Sequence, residues 1–112
     1  MLGAEAYNKS GETNKVGLAF NNGVVSRFEL YQNQPNPFSG STSIGFNMPE
    51  QGSARLTITD VSGRVLKIVS AEYGKGYNQL NIEKADLGAA GIIYYTLETS
   101  SETATRKMIL ID

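Results

Sequence analysis

The 112-residue sequence contains no cysteine, no histidine and no tryptophan. Without cysteine there are no disulfides, thiolate zinc sites, iron–sulfur clusters or thiol nucleophiles. Without histidine there is no Ser-His-Asp triad, no imidazole metal ligand and no side chain that ordinarily titrates near neutral pH. Any catalysis would have to run on carboxylates, lysine, tyrosine and hydroxyls. The composition therefore argues against an enzyme and against a resident metal or cofactor. Net charge is also small: ten Lys/Arg oppose eleven Asp/Glu, for a formal charge of −1. That is not the basic footprint of a nucleic-acid binder. No apolar run approaches the roughly 18 residues of a membrane span. Met1-Leu2-Gly3-Ala4-Glu5 has neither the basic region nor the apolar region of a signal peptide. The chain thus reads either as a cytoplasmic protein or as a piece of a longer exported one, and lack of cysteine does not choose between them.

What is present is a period of two. Ile44, Phe46 and Met48 alternate with Ser43, Gly45 and Asn47; Leu56 and Ile58 alternate with Arg55, Thr57 and Thr59; Leu80 and Ile82 alternate with Gln79, Asn81 and Glu83. Such alternation puts apolar groups on one face of a strand. It predicts strands near 15–20, 24–31, 42–48, 54–60, 64–71, 77–83, 91–99 and 104–111. The expected fold is an all-β, immunoglobulin-like antiparallel sandwich of about seven strands from residue 27 onward. Leu56, Ile58, Leu66, Ile68, Leu80, Ile82 and Leu97 are its expected core. Glu83-Lys84-Ala85-Asp86-Leu87 reads as one helical turn, with Leu87 plugging an open end. Residues 1–26 read as a linker, the tail of an upstream domain or an added hairpin.

Turn chemistry agrees. Asn21-Asn22-Gly23 suits a type I′ hairpin. Asp60-Val61-Ser62-Gly63 has Asp and Gly at the ends of a type I turn. Pro35-Asn36-Pro37 cannot belong to a regular central strand, because neither proline donates to a ladder. It reads as a stiff lead-in, with Phe38 packing onto the sandwich. The apolar run Met108-Ile109-Leu110-Ile111, after Arg106-Lys107, predicts a strand buried on both faces or at a crowded sheet position. It must dock, because an apolar edge otherwise aggregates.

From about Phe28 onward the chain resembles the C-terminal sorting domain of the type IX (Por) secretion system of Bacteroidetes. The resemblance is carried, in order, by Gln34-Pro35-Asn36-Pro37-Phe38, Ser43-Ile44-Gly45-Phe46-Asn47-Met48-Pro49-Glu50, Asp60-Val61-Ser62-Gly63-Arg64-Val65, Gly91-Ile92-Ile93-Tyr94-Tyr95 and Lys107-Met108-Ile109-Leu110-Ile111. No one of these is specific alone. Three features depart from the usual pattern: Ile93 replaces a tyrosine, Ser39-Gly40 replace a second Asn-Pro, and Asp112 replaces a basic end.

The resemblance implies a non-catalytic module that directs a larger upstream cargo across the outer membrane. It implies partners in the outer-membrane translocation machinery and a sortase-like protease. Localisation would be the periplasm in transit, then the cell surface or the medium. On this reading Lys107, Met108, Ile109, Leu110, Ile111 and Gly91 form the recognition set, and Pro35, Asn36, Pro37, Phe38, Asp60 and Gly63 are structural. An alternative is a carbohydrate-binding or adhesion module, with Tyr73, Tyr77 and the exposed member of Tyr94/Tyr95 as a stacking platform. Glu83 and Asp86 as hydrolytic carboxylates have nothing assembled around them. Asp60 as a metal ligand has no second carboxylate near it in sequence, and hard cations need six or more oxygens.

Overall fold

A computed structural model describes residues 27–88 and 90–111. The expected strand at 15–20, the start of that at 24–31 and the Asn21-Asn22-Gly23 hairpin lie outside the described residues. Seven strands and one helical turn follow: β1 (Glu29–Leu30), β2 (Ser41–Met48), β3 (Gly52–Asp60), β4 (Val65–Tyr73), β5 (Gly76–Glu83), α1 (Lys84–Leu87), β6 (Gly91–Glu98) and β7 (Thr103–Leu110). They form two antiparallel sheets, ordered β1-β2-β5 and β4-β3-β6-β7. The chain changes sheet after β2, after β4 and after β5, while β3–β4 and β6–β7 are hairpins.

The alternating residues meet between the layers. Ile44 and Phe46 of β2, Leu56 and Ile58 of β3, Ile82 of β5, Ile93, Tyr95 and Leu97 of β6, and Met108 and Leu110 of β7 are all buried. Each large side chain so buried stabilises the fold by about 1.5–3 kcal/mol relative to exposure. Leu87 is buried on α1 at the end of the sandwich, as its position predicts.

Strand β4 corrects the expected core. Leu66 is only partly buried against the core, as is Leu80, and Ile68 is exposed. For the two β4 residues the reason is an irregularity between Ile58 and Thr59, where Ile58 pairs with Lys67 and Thr59 with Val65. Leu66 is the extra residue, and one extra residue reverses which side chains face inward. Val69 therefore stands opposite Leu56, while Ile68 stands opposite Thr57 on the outer face. Lys67 faces the layer gap near the sheet edge, and its ammonium reaches Asp86 of α1 at 3.5 Å. An inward charge and a bulge on an edge strand both discourage edge-to-edge pairing.

Candidate recognition surface

Strand β7 alternates rather than being buried on both faces. Met108 and Leu110 are buried, whereas Lys107, Ile109 and Ile111 are exposed. The four-stranded sheet has a partner layer on one side only. The apolar run therefore places half its side chains outside, which corrects the expectation drawn from its continuity.

The outward backbone edge of β7 is occupied. Ile109 N–H donates to Asn36 Oδ1 at 2.9 Å. Phe38 N–H donates to Ile109 C=O at 3.0 Å, and Ile111 N–H donates to Phe38 C=O at 2.9 Å. Gln32 Nε2 donates to Lys107 C=O at 2.8 Å. The lead-in is thus a strap along the last strand, with Phe38 buried and bridged in parallel to Leu110. Both Gln34–Pro35 and Asn36–Pro37 are cis. A partner strand could not add along residues 107–111 without displacing this strap.

A buried polar network holds the strap, and the sequence reading missed it. Asn33 and Thr42 are buried. Asn33 Nδ2 donates to Pro35 C=O at 3.1 Å and to Thr42 Oγ1 at 3.0 Å, and Thr42 Oγ1 donates to Pro35 C=O at 2.9 Å. Tyr95 closes the network from the other sheet: its hydroxyl donates to Tyr31 C=O at 2.8 Å and accepts from Asn33 N–H at 2.9 Å. Burial pushes the Tyr95 hydroxyl pKa up, partly offset by the Asn33 N–H and by Arg106, so it stays a donor. Arg106 Nε donates to Leu30 C=O at 2.7 Å, tying β7 to β1.

The exposed face of the four-stranded sheet collects apolar side chains. Ile92 pairs with Ile109, Tyr94 with Lys107 and with Thr59, and Thr59 with Val65. Ile92, Tyr94, Ile109, Val65 and Ile68 are all exposed there. Of the expected recognition residues, this face brings together Lys107 and Ile109, with Ile111 beyond the strand end. Gly91 opens β6 with φ +106° in open space, so backbone conformation and not room calls for glycine there. Met108 and Leu110 are inaccessible in the folded domain.

Asp60 is consumed by its turn. Its Oδ1 accepts from Ser62 N–H, Ser62 Oγ and Arg64 N–H at 2.9, 2.6 and 3.0 Å, and Gly63 N–H donates to Asp60 C=O. The Ser62 hydroxyl, then the Arg64 and Ser62 amides, hold the Asp60 pKa below the usual carboxylate value. A depressed folded pKa stabilises the protein above the unfolded pKa, and that gain is lost as pH falls through the folded value. Asp60→Asn keeps an oxygen acceptor and removes the charge. Its stability deficit against the parent should be full near neutral pH and shrink below about pH 4, the unperturbed carboxylate range. Urea midpoints at a series of pH values measure this, and a deficit constant with pH would contradict it.

The expected tyrosine platform does not assemble. Tyr73 packs edge-on against Phe46, ring centroids 5.0 Å apart at 90°. Tyr94 is on the exposed face of the four-stranded sheet, whereas Tyr77 meets Tyr31 on the other sheet at 6.0 Å. Glu83 and Asp86 take no shared role: Asp86 pairs with Lys67, and Glu83 accepts from Asn81 Nδ2 at 2.6 Å.

A family profile described as "Secretion system C-terminal sorting domain" matches residues 33–111. No curated protein matches the chain. Among solved structures, dimeric latent PorU from Porphyromonas gingivalis is similar at 14% identity and TM-score 0.58, over 82% of this chain and 10% of that one. A β-glucosidase from Kluyveromyces marxianus is similar at 12% identity and TM-score 0.50, over 96% of this chain and 17% of that one. At these identities the likeness is one of fold. The chain spans about a tenth of the PorU chain.

Proposed function

This chain belongs to the secretion system C-terminal sorting domain family of the type IX (Por) system, and from that premise we propose that its export machinery reads the exposed side chains of β7 and β6. The domain is a sorting signal, and proteins carrying it are exported. The finer reading is that an upstream cargo reaches the periplasm and is recognised by the outer-membrane translocation machinery through the folded sandwich. A sortase-like protease then acts on it, and the cargo ends at the cell surface or in the medium. Residues 27–112 form the sorting unit and residues 1–26 the connection to what precedes it.

One observation supports side-chain reading. The backbone edge at 107–111 is already hydrogen-bonded to the strap, while Lys107 and Ile109 project beside Tyr94 and Ile92. An apolar patch with one fixed charge gives a receptor both burial and register. Met108, Leu110 and Gly91 act by holding that patch in shape.

The test is a signal-peptide-bearing reporter fused ahead of the full chain in a bacterium with a type IX system. Lys107→Ala and the pair Ile92→Ser/Ile109→Ser alter the patch. Lys107→Ala should leave stability within about 0.5 kcal/mol, as exposed substitutions usually do. Both variants should remain folded and lose surface delivery. Deleting 107–112 should abolish fold and export together. Folded variants delivered at the parent rate would show that another surface is read.

A further inference from the structure

We propose that the exposed face of the three-stranded sheet holds a second site, for a neutral glycan, centred on Tyr31 and Tyr77. It lies on the layer opposite the Lys107 patch and does not depend on the export reading.

Topology builds the site. Tyr31 follows β1, and its N–H donates to Gly45 C=O at 2.9 Å. Tyr77 is the second residue of β5, opposite Asn47 of β2. Its side chain leans diagonally over Gly45. A Cβ at position 45 would meet the Tyr77 hydroxyl and stand 2.9 Å from ring atoms Cε1 and Cζ. Only glycine leaves that room, so the two tyrosines approach to 6.0 Å at 37°. Tyr77 remains 61% exposed and Tyr31 37%. Aromatic area is held in place and left uncovered.

The groups around the rings are uncharged and polar. Gln34, Ser43 and Gln79 border the depression, and their side chains have no protein partner among the described residues. Gln32 spends its amide N–H groups on Asn33 and Lys107 and keeps its Oε1 as an acceptor. Beside Tyr31 stands Glu29, whose carboxylate, chiefly by accepting a hydrogen bond, raises the Tyr31 hydroxyl pKa.

This set selects a ligand class. Side-chain amides offer donors and acceptors together, which suits neighbouring hydroxyls that both donate and accept. A tyrosine ring suits the C–H face of a pyranose. A sugar presents both surfaces at once. An apolar peptide side chain would cover the amides without bonding them, which costs free energy. Glu29 disfavours an anionic ligand. The bland role of Tyr77 is to shield Gly45, which needs one ring and none of the free amides.

The experiment titrates the ¹⁵N-labelled full chain with maltohexaose, cellohexaose and mannohexaose, with hexaproline and hexagalacturonate alongside. At least one neutral hexaose should shift the amides of Tyr31, Gly45, Tyr77 and Gln79, with a Kd on the order of 1 mM. Hexagalacturonate should bind more weakly than that sugar. Tyr77→Ala should weaken binding about tenfold. Tyr77→Phe should keep most of it, and Tyr94→Ala on the other sheet should change nothing. If no neutral hexaose moves these amides, the proposal is wrong and Tyr77 only shields the backbone. Binding of hexaproline without any hexaose would likewise overturn it, in favour of a peptide groove.

Discussion

Phe38→Ala should lower the stability of the domain by about 3–5 kcal/mol, the range for removing a buried aromatic ring. Its ring is 1% exposed although both neighbours, Pro37 and Ser39, lie at the surface. The ring anchors the strap whose backbone pairs with Ile109 and Ile111. Losing it leaves a cavity at the end of the core and loosens the cover over the last strand. Two readouts separate these effects. Urea unfolding gives the stability loss. Hydrogen exchange at Ile109 and Ile111, whose amides are bound by the strap, should accelerate more than exchange at residues 56 and 58 of β3. Equal acceleration throughout would mean that Phe38 acts only through global stability.

The second large effect is expected at the polar network. Tyr95→Phe deletes one hydroxyl and leaves the Asn33 N–H without its acceptor. An unsatisfied buried donor costs about 1–3 kcal/mol. Asn33→Ala removes the amide that binds Pro35 and Thr42 and should cost a similar amount. Asn33→Ala keeps the backbone N–H that donates to Tyr95, but it removes the side-chain amide that holds residue 33 in place for that bond, so the double variant should be less destabilised than the sum of the singles. Strict additivity in a double-mutant cycle would show that Tyr95 and Asn33 act separately. A Tyr95→Phe protein as stable as the parent would show that the hydroxyl contributes nothing to holding the lead-in.

Both effects belong to the lead-in, which local sequence rules describe only partly. Two prolines explain why 35–37 is not a regular strand. They do not say where it goes. Asn33 carries no local signal of burial. Thr42 does: it is in phase with Ile44, Phe46 and Met48, and so belongs to the inward row of β2. A polar residue in an apolar row predicts a buried partner, and that partner is Asn33. The tyrosines show the same limit. Tyr94 and Tyr95 point to opposite faces by parity alone, and Tyr95 is the core member. Tyr31 and Tyr77 are far apart in sequence, and no pattern joins them until β1 and β5 flank β2.

By itself the sequence determined the fold class, the positions of the strands after residue 27, the Asp60–Gly63 turn, the Leu87 plug and the family. These rest on local periodicity, on turn chemistry and on ordered motifs, all written in neighbouring residues. Tertiary structure alone decided three things. One extra residue at Leu66 turned Ile68 outward and Lys67 inward, because strand parity downstream of a bulge is reversed. A sandwich has only one inner side per sheet, so the Met108–Ile111 run was divided into buried and exposed halves. The strap occupied the outward edge of β7, because unpaired backbone groups there need partners and Asn36 and Phe38 stand within reach. Each of these depends on which strand lies beside which, and that follows from how the layers close around the core.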